Sequence, residues 1–182
     1  MWMCVGVGGH SWGGYLTLMS MCDPLAAGVF SCGMSGAGIS DLAIQLRETE
    51  LRPYDRQILG GWPYEKEKEW RERSAVTNAD KLAAPFLIQH GADDLNVPYS
   101  QIVEFVAAAE KATAPNAKVT FISYEGEKHG NQKPPNQENC ESSSAATVSL
   151  NVLLTALSHG PFSEALLRSQ TCEKRLSSFA ST

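Results

Sequence analysis

The chain has 182 residues, of which 43% are hydrophobic and 19% are charged, and its formal net charge at pH 7 is −5. This length is sufficient for one domain with a hydrophobic core, and the acidic balance without a basic stripe argues against nucleic acid as the main partner. Five scattered cysteines without CxxC spacing predict neither a metal site nor a disulfide framework, and they favour reduced thiols in a cytoplasmic location.

No segment has the features of a targeting signal or a membrane span. Residues 1–8 lack both a basic leader and a long apolar core. The most apolar late run, 148–157, is too short to cross a bilayer and contains polar side chains. We therefore expect no membrane partner.

Apolar runs with strand character alternate with helical patterns along most of the chain. The predicted strands cover residues 1–9, 27–34, 84–90 and 118–126. Helices are predicted over 12–22, irregularly within 41–73, and after Pro98, where Ile102, Val103, Val106 and Ala109 form one apolar face. This alternation predicts an α/β fold, with a parallel sheet covered by helices.

The charged stretch "EKEKEWRER" at 65–73 is predicted to be a solvated helix face anchored by Trp70. After about Glu138 the composition changes to a serine-rich tail, in which helices are predicted over about 145–158 and 163–176. We therefore divide the chain into a domain at 1–138 and a C-terminal extension at 139–182, and we assign no chemistry to the extension.

The segment "GGHSWGGYL" at 8–16 contains the motif G-x-S-x-G between an apolar strand and a helix. In this motif a strand turns sharply into a helix with the serine, here Ser11, at the apex. Strand and helix pass so close together in this motif that the flanking positions have no space for a side chain, which explains Gly9 and Gly13. The backbone N–H of Trp12 would point at a developing oxyanion. The other interpretation is a glycine-rich turn that serves packing alone.

A serine nucleophile needs a base and a carboxylate that orients the base. His129 follows the fourth predicted strand on a polar loop, where the base is expected, whereas His10 and His90 are better explained by structural roles. Asp93 and Asp94 both follow the third strand. One can face the base while the other caps either the loop or the helix that begins near Pro98. The order serine, aspartate, histidine is the one expected for this arrangement.

These segments resemble the catalytic domain of the prolyl oligopeptidase family of serine peptidases, including its dipeptidyl-peptidase and acylaminoacyl-peptidase branches. The resemblance rests on "GHSWGGYLT" at 9–17, "ERSAVTNADKLAAPFLIQHGADDLNVPYSQ" at 72–101 and "ISYEGEKHG" at 122–130. In the family the catalytic aspartate lies four positions after the histidine of "HG", which selects Asp94. The resemblance therefore implies an α/β-hydrolase fold and a catalytic triad of Ser11, Asp94 and His129.

The implied reaction is hydrolysis of a peptide substrate through an acyl-enzyme, with no metal or organic cofactor. Trp12 N–H would supply one oxyanion contact. Asn96 and Val97 match positions that lie near the substrate carbonyl and specificity pocket in the dipeptidyl-peptidase branch. A carboxylesterase or other acyl hydrolase would use the same chemistry, and a non-catalytic fragment or interaction module is a further alternative.

The family's catalytic domain also has elements upstream of the nucleophile strand, including a tyrosine that donates the second oxyanion contact and usually a β-propeller. We therefore expect this chain to be the C-terminal half of an α/β-hydrolase fold, with about four parallel strands. The N-terminal part of the same protein or a homo-oligomer would complete it. Because loss of one oxyanion donor lowers the rate about 10²–10³-fold, the isolated chain is expected to be weakly active. Without the upstream strands, the nucleophile strand would have an open edge with unpaired N–H and C=O groups, so we also expect the isolated chain to be poorly stable. Strong hydrogen-exchange protection at residues 5–7 in the monomer would contradict this open edge.

Overall fold

The computed structural model describes residues 5–112 and 117–130, and a four-stranded parallel sheet lies at their centre. The strands are β1 Gly6–His10, β2 Cys32–Gly36, β3 Phe86–Gly91 and β4 Val119–Tyr124, and they lie side by side in chain order. Gly9 pairs with Ser35, Ser35 with Ile88, and Ile88 with Phe121. The predicted parallel α/β architecture is therefore confirmed.

Helices connect the strands. The five α-helices of the described residues are α1 Trp12–Cys22, α2 Leu42–Glu48, α3 Arg52–Leu59, α4 Glu67–Glu72 and α5 Tyr99–Ala109, with short 3-10 helices at Pro24–Ala26 and Ala75–Lys81. The bounds of α1 match the prediction. The irregular helical region is three separate helices, the first of which begins where the Asp41 side chain accepts hydrogen bonds from the N–H groups of Ala43 and Ile44.

The main hydrophobic core lies between the sheet, α1, α5 and the second 3-10 helix. Leu18 from α1, Phe86 and Ile88 from β3, and Ile102 and Phe105 from α5 are all fully buried there. The Phe86 and Phe105 rings meet edge to face at 6.3 Å. Burial of these side chains supplies the main stabilisation of the described fold.

A second apolar cluster lies beside the carboxyl-terminal rim of the sheet. Its buried members are Ile39, Leu42, Leu46, Trp70 and Val97, and Trp12 and Trp62 pack against it. Trp70 is buried while the charged residues around it in "EKEKEWRER" are exposed. The predicted solvated helix face is thus confirmed.

Two predictions of local structure are wrong. The second strand begins at Cys32 and not at residue 27, because Pro24–Ala26 form a 3-10 helix and Gly28 adopts a left-handed turn conformation with φ of 83°. In α5, Val103 is 43% exposed, whereas Phe105 is fully buried. The buried face of α5 is therefore rotated from the predicted one.

The carboxyl ends of all four strands lie at one rim of the sheet, and the candidate residues follow three of them. Ser11 comes directly after β1, Asp94 lies in the loop after β3, and His129 lies in the loop after β4. In the described part of the chain, β1 is an edge strand paired with β2 alone. The boundary predicted at residue 138 and the two helices predicted beyond it lie outside the described residues.

Candidate active site

Ser11 occupies the sharp turn between β1 and α1. Its backbone has φ of 58° and ψ of −121°, in the left-handed half of conformational space that side-chain-bearing residues rarely adopt. The Ser11 N–H donates to Gly36 O at 2.9 Å, and Ser11 O accepts from Tyr15 N at 2.9 Å. These bonds hold the strained turn in place.

The close approach of strand and helix at this turn requires Gly9. A Cβ built at Gly9 would lie 2.5 Å from the carbonyl carbon of Gly13. The same test at Gly13 meets no heavy atom of the described residues within 4 Å, so the prediction that sterics exclude a side chain there is wrong. The second crowded position is Gly14, whose Cβ would lie 2.7 Å from Gly38 Cα.

The side chains of Ser11, His129 and Asp94 form a continuous hydrogen-bonded row. His129 Nδ1 lies 2.8 Å from Asp94 Oδ2, and His129 Nε2 lies 2.9 Å from Ser11 Oγ. Because a carboxylate only accepts, Nδ1 of the neutral imidazole carries the proton and donates it, and Nε2 accepts from the Ser11 hydroxyl. This tautomer is the one that can remove a proton from Ser11.

Asp94 also organises the loop in which it lies. Its Oδ1 accepts from the N–H groups of Asn96 and Val97, each at 2.9 Å, while its Oδ2 contacts His129. The sequence predicted that one aspartate would face the base and that the other would cap the loop or the helix beginning near Pro98. Asp94 does both, and the side chain of Asp93 is exposed.

Two further histidines lie around this row. The ring of His10 is 5.0 Å from the ring of His129, and burial together with the neighbouring His129 lowers the pKa of His10. His90 is buried, donates from Nε2 to Val97 O at 2.9 Å, and lies 3.5 Å from Asp94 Oδ2. Burial lowers the pKa of His90, so a neutral imidazole supports the Asp94 loop.

The remaining candidates lie on the same rim. Trp12 is the first residue of α1, where an N–H has no carbonyl partner within its own helix, and its side chain packs on the second apolar cluster. Val97 is buried in that cluster, and Asn96 is partly exposed beside it. An apolar surface therefore adjoins the Ser11 turn.

The sequence interpretation missed two side chains that contact the Asp94 loop. Gln45 and Thr49 both donate to Asn96 O, at 2.8 and 2.7 Å. Gln45 lies three residues after Leu42 and one before Leu46, which places a polar side chain on the apolar face of the helix. That position was the sequence feature from which a buried role of Gln45 could have been predicted.

In the described ranges, 5–112 and 117–130, no three His, Cys, Asp or Glu side chains are grouped so that they could hold a metal ion. Within the same ranges, no helix has the length and apolar character needed to cross a membrane.

Residues 4–146 match the family model described as the prolyl oligopeptidase family. The chain is 31% identical over 142 residues to dipeptidyl aminopeptidase BIII of Pseudoxanthomonas mexicana, covering 74% of this chain and 20% of that protein. It is 33% identical over 139 residues to dipeptidyl peptidase family member 6 of Caenorhabditis elegans, covering 72% and 18%. The chain thus spans about a fifth of the length of these curated relatives.

Solved structures show the same fold. A puromycin-hydrolyzing peptidase of Mycobacterium tuberculosis superposes with a TM-score of 0.68 at 29% identity, over 81% of this chain and 22% of that one. The acylaminoacyl peptidase of Pyrococcus horikoshii gives a TM-score of 0.66 at 23% identity, over 75% and 22%. The second likeness supports the fold alone.

Proposed function

Because the chain belongs to the prolyl oligopeptidase family, we propose that it carries the catalytic rim of a serine peptidase, with Ser11 as nucleophile, His129 as general base and Asp94 as the orienting acid. The observation that carries this proposal is the row of two hydrogen bonds, 2.9 Å from Ser11 Oγ to His129 Nε2 and 2.8 Å from His129 Nδ1 to Asp94 Oδ2. A serine hydroxyl at ordinary pH is a weak nucleophile, and a base in contact with it is what activates it.

In the proposed reaction, Ser11 Oγ bonds to the carbonyl carbon of a peptide while its proton passes to His129 Nε2. The C–N bond then breaks, and the leaving amine takes the proton from Nε2. Water attacks the resulting ester and gives a proton to Nε2. That proton passes to Ser11 Oγ as its bond to the carbonyl carbon breaks, and the released acid loses its own proton to solvent. Asp94 keeps its charge throughout and stabilises the imidazolium that forms twice in each cycle.

The negative charge that develops on the carbonyl oxygen would be met by the Trp12 N–H at the start of α1. The free N–H groups and the partial positive charge of a helix N-terminus favour an anion there. We propose that the substrate lies along the apolar surface beside the turn, near Asn96 and Val97. This position is supported by the partial exposure of Trp12 and Asn96, of which Trp12 packs on the cluster that contains the buried Val97.

The substrate class follows from the relatives and is part of the proposal. Two relatives that match this chain are named as a dipeptidyl aminopeptidase and a dipeptidyl peptidase family member, which supports peptides as substrates. A carboxylesterase would use the same three side chains, and the peptide class is preferred on the family match. We also propose that residues 1–138 form the catalytic unit and that the serine-rich residues 139–182 are an extension to it.

Labelling with a fluorophosphonate probe tests the nucleophile. The wild-type chain should be labelled and Ser11→Ala should not, whereas Ser20→Ala, which removes a serine on α1, should be labelled like the wild type. Equal labelling of Ser11→Ala, or no labelling of a wild-type protein that is folded by circular dichroism, contradicts the proposal. Peptide and p-nitrophenyl ester panels then separate a peptidase from an esterase.

A further inference from the structure

The peptide group between Asn96 and Val97 is bonded at both of its ends. Its N–H, from Val97, donates to Asp94 Oδ1 at 2.9 Å. Its C=O, from Asn96, accepts from Gln45 Nε2 at 2.8 Å and from Thr49 Oγ1 at 2.7 Å. The orientation of this one peptide plane is therefore fixed between Asp94 on one side and the end of α2 on the other.

The amide of Gln45 is itself held in one orientation by three partners. Its Nε2 donates to Asp55 Oδ2 at 2.7 Å as well as to Asn96 O, and its Oε1 accepts from Gln101 Nε2 at 2.9 Å. Gln101 Oε1 in turn accepts from the N–H groups of Ser40 and Asp41. A flipped Gln45 amide would lose all three of its bonds.

This network lies away from water. Gln45 is 1% exposed, Gln101 is fully buried and Thr49 is 2% exposed. A buried hydrogen bond has no water to replace it when one partner is removed, so the network holds the peptide plane firmly. Donors at the carbonyl also polarise the peptide group and strengthen the bond that its N–H gives to Asp94.

We propose that Gln45 and Thr49 are positioning residues for Asp94, acting through the Asn96–Val97 peptide. Among the described residues, their side chains form hydrogen bonds with other partners than Ser11 and His129, and their effect on catalysis rests on the proposed function. Without them, the peptide plane can rotate and Asp94 Oδ1 loses its alignment with Val97 N–H. The other carboxylate oxygen then loses its 2.8 Å contact with His129 Nδ1.

The first test needs no activity. In the Ser11→Ala background, the proton on His129 Nδ1 is observed by NMR, where a proton donated to a carboxylate resonates far downfield. Gln45→Met and Thr49→Val should each move this resonance upfield or broaden it. Two control variants should leave it in place: Thr77→Val, which removes a threonine bond to Arg71 O, and Ser74→Ala, which removes the bond from Leu42 N–H in α2 and the bond to Trp70 O in α4. An unchanged resonance in both Gln45→Met and Thr49→Val overturns the proposal.

The second test is a double-mutant cycle on the rate of fluorophosphonate labelling. Gln45→Met should slow labelling by about 10–100-fold, the scale of a small misplacement of a catalytic group. In the Asp94→Asn background the same substitution should slow it less than about threefold, because its route of action is already lost. Equal losses in both backgrounds would mean that Gln45 acts elsewhere.

The two tests separate this inference from the proposed function. If the wild-type protein is not labelled but the Nδ1 resonance moves as expected, the hydrolase assignment fails and the positioning role stands. If Gln45→Met does not fold, Thr49→Val, which removes one hydroxyl bond to the same carbonyl oxygen, decides the outcome in both experiments.

Discussion

Ser11 Oγ and His129 Nε2 lie 2.9 Å apart although the two residues are 118 positions apart along the chain. Parallel strands make this possible, because the connecting helices return the chain to the same end of the sheet each time. Ser11 leaves β1 and His129 follows β4 at opposite edges of the four described strands. The loop after β4 therefore extends back along the rim, and His129 lies between Asp94 and Ser11 in the hydrogen-bonded row.

The proposed triad predicts different outcomes for the two adjacent aspartates. Asp94→Asn keeps the shape of the side chain but favours the wrong tautomer of His129, so hydrolysis and probe labelling should fall by about 10³–10⁴-fold. Asp93→Asn, at an exposed side chain, should change either rate less than about threefold. Rates measured at saturating peptide substrate compare the two, and a larger loss in Asp93→Asn would reverse the assignment.

The sequence was sufficient to predict the features that depend on local pattern. The Ser11 motif lies within five residues, and its strand and helix neighbours are continuous with it, so the turn could be predicted without distant information. His129 was predicted because it follows a strand, and the resemblance selected Asp94 over Asp93. The structure brings these three residues together as that interpretation required.

Other features depend on contacts between distant segments. The apolar residues of α5 fit two overlapping faces, and only the packing of Phe105 against Phe86 decides between them. Gln45 contacts Asn96 across 51 positions. No spacing rule connects a glutamine in one helix with a carbonyl in a later loop, so sequence pattern alone could not predict this contact.

Gly9 and Gly13 are predicted to respond in opposite ways to alanine. Gly9→Ala should lower the free energy of unfolding by about 1–3 kcal/mol, because its Cβ would lie 2.5 Å from backbone atoms of Gly13. Gly13 lies in the first turn of α1, and no heavy atom of the described residues lies within 4 Å of its added Cβ, so Gly13→Ala should raise the free energy of unfolding by about 0.5–1 kcal/mol. Urea denaturation of both variants measures the difference; similar destabilisation by the two would contradict the described close approach.

Stability at mildly acidic pH is predicted to depend on His90. Burial lowers its pKa in the folded state below the unfolded value of 6.5, so the unfolded state binds the proton first as pH falls. The free energy of unfolding should therefore decrease as pH falls from 6.5 towards the folded pKa, by at most about 1.4 kcal/mol per pH unit.

The control variant for this prediction is His90→Gln, whose side-chain amide can still donate to Val97 O but does not titrate. In urea denaturation at a series of pH values, wild type should lose stability relative to this variant below pH 6.5. Parallel curves for the two proteins would show that protonation of His90 is not opposed by the fold.

Asp55 is predicted to have the opposite pH dependence. Burial raises the pKa of this carboxyl above its usual value of 3.8, and the hydrogen bond from Gln45 offsets part of that effect. A raised folded pKa means that the folded state holds the proton more tightly than the unfolded state. The contribution of Asp55 to stability is therefore full below pH 3.8 and decreases as pH rises through the folded pKa.

Asp55→Asn removes the titration and keeps an oxygen that can accept from Gln45 Nε2. The free energy of unfolding of this variant, measured relative to wild type, should increase as pH rises from below 3.8 to neutral and then become constant. Because Gln45 keeps its acceptor in this variant, the Nδ1 resonance of His129 should remain in place. The charge of Asp55 would then affect stability, whereas the hydrogen bonds of Gln45 would position Asp94. A stability difference that does not vary with pH would mean that burial does not disfavour the charged carboxylate.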